Sequence, residues 1–281
     1  MSVQLGIFVV PDAGDSAATV ETIVAADRCG LDLVGVQDHP YQQRFLDTWT
    51  LLSYAAGRTD RVRLLPDVVN LPLRLPSVLA KSAASLDVLS GGRVELGVGA
   101  GAFWEGIEAM GGRRMSPKES VDALEEAIQI LRGFWSDERS VTVEGQHHRV
   151  TGAKPGPQPA HPIGIWVGAY KPRMLRLTGR LGDGWLPSLG GKYMSAEDVP
   201  AMQAVVDEGA RAAGRDPAEI ERAANVTGLN GDPAEWPEEL ARIVTELGFS
   251  TLIVSLPEGD RLDFVRRLGE DVAPRLRDIL G

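Results

Sequence analysis

Residues 60–101 have the sequence DRVRLLPDVVNLPLRLPSVLAKSAASLDVLSGGRVELGVGAG, and they contain the pattern that decides the fold. Two short apolar runs, Val62–Val69 and Val94–Val98, enclose a segment over Pro76–Leu89 whose apolar residues recur with helical spacing. Runs that are apolar on both faces are typical of parallel strands covered by helices. This stretch therefore predicts a strand–helix–strand unit.

The same alternation continues over the whole chain. The predicted strands are Val3–Val10, Asp32–Gln37, Val62–Val69, Val94–Val98, Ile163–Val167, Gly184–Pro187, Arg222–Thr227 and Thr251–Leu256. The predicted helices are Ser16–Cys29, Asp47–Arg58, Pro76–Leu89, Pro117–Trp135, Pro172–Leu181, Ala196–Ala213, Pro233–Leu247 and Arg261–Ile279. This order predicts an α/β fold, a (β/α)8 TIM barrel, as a single domain over residues 1–281. A doubly wound open sheet is also compatible with the alternation alone.

The segment Ser140–Pro162, SVTVEGQHHRVTGAKPGPQPAHP, interrupts the rhythm. Polar and apolar residues alternate around Glu144 and Gly145, and a proline-rich run follows, so we expect an inserted hairpin and loop before strand five. Its neighbouring histidines, His147 and His148, point to opposite faces of a strand and cannot chelate one ion together. We therefore expect no metal site.

Charge and composition exclude several classes of function. The chain carries 29 Lys and Arg against 39 Asp and Glu, a net charge of -10, and we expect no nucleic-acid partner because such proteins need a basic face. The single cysteine, Cys29, cannot form an internal disulfide. No apolar run approaches the roughly 18 residues that span a membrane, and the N-terminus lacks a signal-peptide pattern. The sequence predicts a cytoplasmic protein without a membrane partner.

In a parallel barrel, ligands bind at the carboxyl ends of the strands. Asp38 and His39 follow strand two, where an acid beside a histidine can orient a substrate and move a proton near neutral pH. The alternative is an aspartate that caps a turn beside a histidine that fills a gap. The strand-end position favours a site, with His39 as the best catalytic candidate.

The next two strand ends carry unusual backbone signals. Pro66 lies inside strand three, so the segment that ends at Asn70 is either an irregular bulge or an ordinary strand end. Strand four ends with Gly97, Gly99 and Gly101 in the spacing G-x-G-x-G, which lets a backbone approach a ligand closely. This spacing differs from the dinucleotide-binding motif G-x-G-x-x-G, so a Rossmann dehydrogenase is a remote alternative.

Strand five ends at Gly168 and Ala169, directly before a predicted helix. Small residues before a helix N-terminus expose backbone N–H groups that can bind phosphate, and Lys171 and Arg173 add positive charge. The alternative is an ordinary turn with solvated basic residues. We favour a phosphate site.

Two long segments resemble a known family. Residues 34–105, from VGVQDHPYQQRF to RVELGVGAGAFWE, and residues 164–187, GIWVGAYKPRMLRLTGRLGDGWLP, resemble the bacterial luciferase-like flavin- and F420-dependent oxidoreductases. The resemblance implies a (β/α)8 barrel with an insertion, usually a homodimer, that binds F420 or FMN and acts on a small-molecule substrate. The DHP sequence and the GVGAGAFWE block are closer to the F420-using branch.

The resemblance also assigns roles to individual residues. It implies a catalytic His39 that faces the cofactor ring beside Asp38, and a bulge under the ring that often contains a non-proline cis peptide bond. The residues it implies for cofactor binding are His39, Asp67, Val68, Val69, Asn70, Gly99, Ala100, Gly101, Ala102, Gly168, Ala169 and Tyr170. Among these, Gly168 and Ala169 match phosphate-binding backbone amides. Sugar-phosphate-oxidising members carry a proton-donating glutamate where this chain has Ala102, which puts that substrate in doubt.

The functional hypothesis is an F420-dependent oxidoreductase that transfers a hydride between reduced F420 and a small organic substrate. One alternative is an FMN-dependent luciferase-like monooxygenase. A second, from another class, is a flavin- or F420-binding protein without turnover. Trp49, Phe103, Trp104 and Tyr170 suggest an apolar substrate pocket, although each is equally compatible with core packing.

Overall fold

The structure is a computed structural model that describes residues 3–190, 193–229 and 231–281. Its strands are β1 Gln4–Val9, β2 Leu33–Val36, β3 Arg63–Pro66, β4 Val69–Asn70, β5 Leu96–Gly99, β6 Val141–Glu144, β7 Arg149–Ala153, β8 Ile165–Val167, β9 Gly184–Trp185, β10 Ser188–Leu189, β11 Glu221–Val226 and β12 Thr251–Ser255. Its α-helices are α1 Ser16–Arg28, α2 Thr48–Ala56, α3 Pro76–Ser90, α4 Trp104–Ala109, α5 Pro117–Phe134, α6 Pro172–Leu181, α7 Val199–Ala212, α8 Trp236–Leu247, α9 Arg261–Arg267 and α10 Ala273–Leu280.

The sheet is parallel and curls into a barrel. Its strand order is β3-β2-β1-β12-β11-β9-β8-β5-β4, with β10 paired to β11. The two ends of this path meet where Leu64 of β3 bridges Val94 just before β5, since the Leu64 N–H donates to the Arg93 carbonyl at 2.7 Å. Counting β3 with β4, and β9 with β10, gives eight strand positions around the barrel. The predicted TIM barrel is confirmed, and the open-sheet alternative is excluded.

Alternating residues along the strands divide the core into two layers. Outward-facing side chains pack under the helices in one large apolar cluster. The inward-facing ones form a separate cluster inside the barrel, made of Leu33, Leu65, Trp166, Leu186, Ala223 and Ile253. Partly buried Phe8 and Val68 lie against this inner cluster. The barrel interior is therefore filled, and a ligand must bind above it rather than within it.

The helices follow the predicted segments with three differences. Pro76, Pro117 and Pro172 each begin a helix, where the missing N–H costs nothing. The short helix α4 was not predicted. The last predicted helix is divided into α9 and α10 by a π-helical turn over Leu268–Val272. Two other predicted helices begin with 3-10 turns, Ala196–Asp198 and Pro233–Glu235. None of the described helices has the length and apolar character needed to cross a membrane.

The predicted hairpin is present and lies outside the barrel. Strands β6 and β7 are antiparallel, and the turn between them is held by Glu126 of α5. The Glu126 carboxylate accepts from the backbone N–H groups of Gln146, His147 and His148, each at 2.8 Å. The inserted hairpin is therefore anchored to α5 through Glu126.

Candidate active site

Asp38 connects the carboxyl ends of the second and third strand positions. Its carboxylate is 1% exposed and accepts two bonds from Arg74, Nε at 2.9 Å and Nη2 at 2.7 Å. The backbone N–H of Asn70 donates to the same carboxylate at 3.0 Å. Both oxygens of this buried carboxylate therefore accept hydrogen bonds, which fixes the end of strand two against the segment that follows strand three, and the catalytic role of Asp38 stays a prediction.

His39 lies at the mouth of the barrel, half-buried among aromatic rings. Its ring stacks on Tyr41 with centroids 5.4 Å apart and meets the edge of Phe103 at 5.7 Å. Its Nδ1 lies 3.2 Å from the amide nitrogen of Gln37. Burial lowers the pKa of His39, and the Asp38 charge only partly opposes this, so the neutral imidazole dominates at pH 7.

The third strand position is interrupted between β3 and β4. Of the two interpretations of this segment, the irregular bulge is therefore observed and the ordinary strand end is not. The peptide bond between Asp67 and Val68 is cis. The bulge turns the Val68 side chain toward the barrel axis, while the buried Val69 side chain packs outward under the helices. Only the backbone of Val69 is thus available to a ligand above the barrel.

The glycines of strand four make room for this bulge. A Cβ atom on Gly99 would lie 2.8 Å from a Val68 methyl carbon, and one on Gly97 would lie 3.0 Å from the other. A Cβ atom on Gly168, which follows the neighbouring strand β8, would lie 3.5 Å from the same side chain. The sequence interpretation, in which these glycines admit a ligand, missed that Gly97 and Gly99 first accommodate Val68.

The loop after β5 completes this side of the mouth. Gly101 has a φ of 93°, which only glycine adopts easily, and packs against Pro72 and Trp104. Ala100 is half-buried, and Ala102 is exposed.

Asp67 is a buried acid at the top of the barrel interior. Asn225 of β11, on the opposite side of the barrel, donates from its side-chain nitrogen to Asp67 Oδ1 at 3.0 Å. Asp67 Oδ2 has no hydrogen-bond partner among the described residues. Burial raises the pKa of Asp67 to about 7, and the Asn225 hydrogen bond opposes that rise. Asn225 was not predicted, although a polar residue at an inward position of an apolar strand was a detectable signal.

The fifth strand end differs from its prediction. The Gly168 N–H donates to the Val98 carbonyl at 3.0 Å as part of the sheet, so the expectation that this amide binds phosphate is wrong. Ala169 is buried and its carbonyl accepts from Trp185 Nε1 at 2.9 Å. The Tyr170 hydroxyl accepts from the Ser188 N–H at 2.7 Å. Because these last two bonds use acceptor atoms of Ala169 and Tyr170, only the Gly168 backbone N–H of these three residues is taken by the sheet, and free backbone donors begin at Ala169.

That helix start has no side-chain cap. Lys171 occupies the capping position without a side-chain hydrogen bond, and Pro172 follows. The Arg173 guanidinium donates to the Lys118 carbonyl at 3.0 Å and pairs with Asp122, whereas Lys171 is exposed and forms no ion pair with any described residue. Of the two predicted cations, only Lys171 remains available for an anion.

The strand ends thus bring His39, the Asp67–Val68 bulge and the Gly99–Ala102 loop to one edge of the barrel. The sequence model of the luciferase-like monooxygenase family matches residues 3–268. The chain belongs to this family. Its members supply the comparison for the site just described.

Curated relatives match almost the full chain. A protein of Intrasporangium calvum named F420-dependent glucose-6-phosphate dehydrogenase is 30% identical, over 92% of this chain and 95% of its own length. A protein of Segniliparus rotundus with the same name is 28% identical, over 99% of both chains. The structure of an F420-dependent secondary alcohol dehydrogenase in complex with an F420–acetone adduct superimposes with a TM-score of 0.88 at 20% identity. It covers 99% of this chain and 100% of that one, which supports the barrel fold.

Proposed function

We propose that this protein is an F420-dependent oxidoreductase that transfers a hydride between reduced F420 and a small organic substrate. The observation that carries the proposal is the position of His39 and the Asp67–Val68 bulge on neighbouring strand ends, above a filled barrel. The choice of F420 rests on the names of the full-length relatives.

The residues at the barrel mouth fit a flat ligand with polar edges. Three buried side-chain oxygens have no partner among the described residues: Asp67 Oδ2, Asn70 Oδ1 and Asn225 Oδ1. Native proteins rarely leave buried polar atoms without a hydrogen bond, so orphaned oxygens beside a strand-end opening favour a bound ligand with N–H or O–H groups. A deazaflavin or flavin ring has such groups at its edge.

When bound, the cofactor supplies the hydride chemistry, and the protein supplies position and electrostatics. The Val68 bulge would support the cofactor ring, and Asp67, Asn70 and the Gly99–Ala102 loop would hold the rest of the cofactor. His39 would face the substrate, and the Tyr41 and Phe103 rings pack against its imidazole and fix its orientation. Asp38 acts through Arg74 to hold the two strand ends together.

The phosphate of the cofactor would lie at the N-terminus of α6. The helix dipole and the uncapped backbone N–H groups there favour an anion. We assign the phosphate site to the backbone N–H groups of Ala169–Lys171 and the Lys171 ammonium, with the Tyr170 side chain lining one side of it. Gly168 contributes only the absence of a side chain.

The substrate is not expected to be glucose 6-phosphate. Ala102 is an exposed methyl-bearing residue and offers no proton at the position where the resemblance implies a glutamate. Phe103, which is 52% exposed beside His39, instead favours an uncharged substrate with an apolar part.

Turnover with a panel of ketones, aldehydes and secondary alcohols tests this proposal. We expect F420 to change redox state with at least one panel member and not with glucose 6-phosphate. His39→Ala should keep F420 binding and lose turnover. Oxygen consumption with reduced FMN but none with reduced F420 would favour the monooxygenase alternative, and F420 binding without any turnover would favour the binding-protein alternative.

We further propose that two copies of this chain form a homodimer through the outer faces of α2 and α3. Tyr54, Val78 and Leu89 are 56%, 58% and 84% exposed on these helices. Val78 and Leu89 line a groove of about 910 Å³ between α2, α3 and the hairpin, whose walls are mainly apolar. Exposed apolar side chains around a groove are typical of an interface, and a two-fold symmetric pair would cover both copies at once.

A further inference from the structure

Gln37 links strand two to the ring of His39. Its backbone is fixed on both sides, since its N–H donates to the Val9 carbonyl at 3.1 Å and its carbonyl accepts from Thr48 Oγ1 at 2.6 Å. Its side-chain nitrogen lies 3.2 Å from His39 Nδ1. An amide nitrogen is a hydrogen-bond donor only, so Nδ1 must act as the acceptor and carry no hydrogen.

Among the groups around the ring, the Asp38 charge raises the pKa of His39, but the larger effect of burial lowers it and the imidazole stays neutral. The Asp38 carboxylate precedes His39 in the chain but is bound by Arg74, and the phenol ring of Tyr41 and the edge of Phe103 enclose the imidazole. Phe103 has no charge, and the pKa of Tyr41 is raised by burial and by Asp38, so its phenol stays neutral. No carboxylate of the described residues therefore contacts the ring to draw a second proton onto it.

We propose that Gln37 is a positioning residue that holds His39 as a neutral imidazole with its hydrogen on Nε2. The consequence of this inference for the substrate rests on the proposed function. The site offers the substrate a fixed hydrogen-bond donor, so the substrate must present an acceptor at this point. A carbonyl or alcohol oxygen meets that requirement, whereas a saturated hydrocarbon or an ammonium group does not.

The tautomer can be measured in the ligand-free protein by nitrogen-15 NMR of the histidine side chains, with His39→Asn to assign the signal. We expect wild-type His39 to have hydrogen on Nε2 and a bare Nδ1. Gln37→Glu places a carboxylate acceptor against Nδ1, so the hydrogen should move to Nδ1 and the titration midpoint of His39 should rise by about one pH unit or more. Gln37→Met removes the donor without adding charge and should populate both tautomers.

Gln43→Glu is the matched control, since it adds the same charge four residues from His39 at an exposed position without a contact to the ring. It should leave the tautomer unchanged. A wild-type signal with hydrogen on Nδ1 overturns the inference, and so does a Gln37→Glu signal that matches Gln43→Glu. Because no cofactor is present, these results stand apart from F420 binding, whose failure would refute the proposed function alone.

Discussion

Asp67→Asn should change how the stability of this protein depends on pH. Asp67 is buried, its carboxyl accepts a hydrogen bond from Asn225, and no cation of the described residues pairs with it. The pKa of this carboxyl is about 7 in the folded protein, against an ordinary value of 3.8. The folded state therefore binds the Asp67 proton more tightly than the unfolded chain does.

The sign and size follow from linkage. Because the folded pKa is raised, the stability contributed by the bound proton is fully present below about pH 4 and is lost as the pH rises to about 7. The two pKa values differ by about 3, which corresponds to a total loss of about 4 kcal/mol. Between about pH 5.5 and about pH 7.5 the loss is about 2 kcal/mol. The amide introduced by Asp67→Asn keeps an acceptor for Asn225 but cannot ionise, so the variant escapes this loss.

Urea unfolding followed by tryptophan fluorescence measures the difference at each pH. Between those two pH values, the free energy of unfolding of the variant should rise by about 2 kcal/mol relative to that of wild type. The buried second amide shifts the stability of the variant by the same amount at every pH, so it does not affect this difference. Asp137→Asn, which changes the same charge at an exposed position, serves as the control. Parallel stability curves for wild type and Asp67→Asn would refute the reasoning, because they would mean that Asp67 does not change its protonation in this range.

Three further changes have defined outcomes. Arg74→Met leaves the buried Asp38 carboxylate without its cationic partner and should cost about 3–5 kcal/mol, measured from the shift in the urea midpoint; a loss below about 1 kcal/mol would contradict a structural role for the Arg74–Asp38 pair. Gly99→Ala brings a methyl group 2.8 Å from Val68 and should weaken F420 binding about tenfold, while circular dichroism shows that the chain stays folded. An unchanged affinity would mean that the Val68 bulge does not contact the cofactor. Leu89→Asp should convert a dimer to a folded monomer in sedimentation velocity, and an unchanged sedimentation coefficient would remove α3 from the interface.

The barrel was predictable because its signals are local. Each strand is a short apolar run, and Pro76, Pro117 and Pro172 mark helix starts whatever the tertiary structure. The breaks were harder to place. Pro66 signals an irregular third strand, but its bounds depend on the space that Gly97 and Gly99 leave for Val68, a contact between strands.

The candidate site was predictable in position and less so in detail. The rule that ligands bind at strand ends pointed to His39, and the family resemblance pointed to Asp67, but neither indicated the partners of these side chains. The Asp38 carboxylate accepts hydrogen bonds from Arg74, and the Asp67 carboxyl accepts one from Asn225 on the opposite side of the barrel. Both contacts join residues that are far apart in the sequence. The prediction that the Gly168 N–H binds phosphate was wrong because this N–H donates to strand four. That hydrogen bond depends on the register between the two strands, which the local sequence does not show.

Equilibrium titration of the purified protein with F420 and, separately, with FMN tests the central claim most directly. Quenching of tryptophan fluorescence reports binding, and equilibrium dialysis checks the stoichiometry. The account predicts one F420 per chain at micromolar affinity or tighter, with FMN at least about tenfold weaker. Binding of FMN alone, or of neither cofactor, would contradict it.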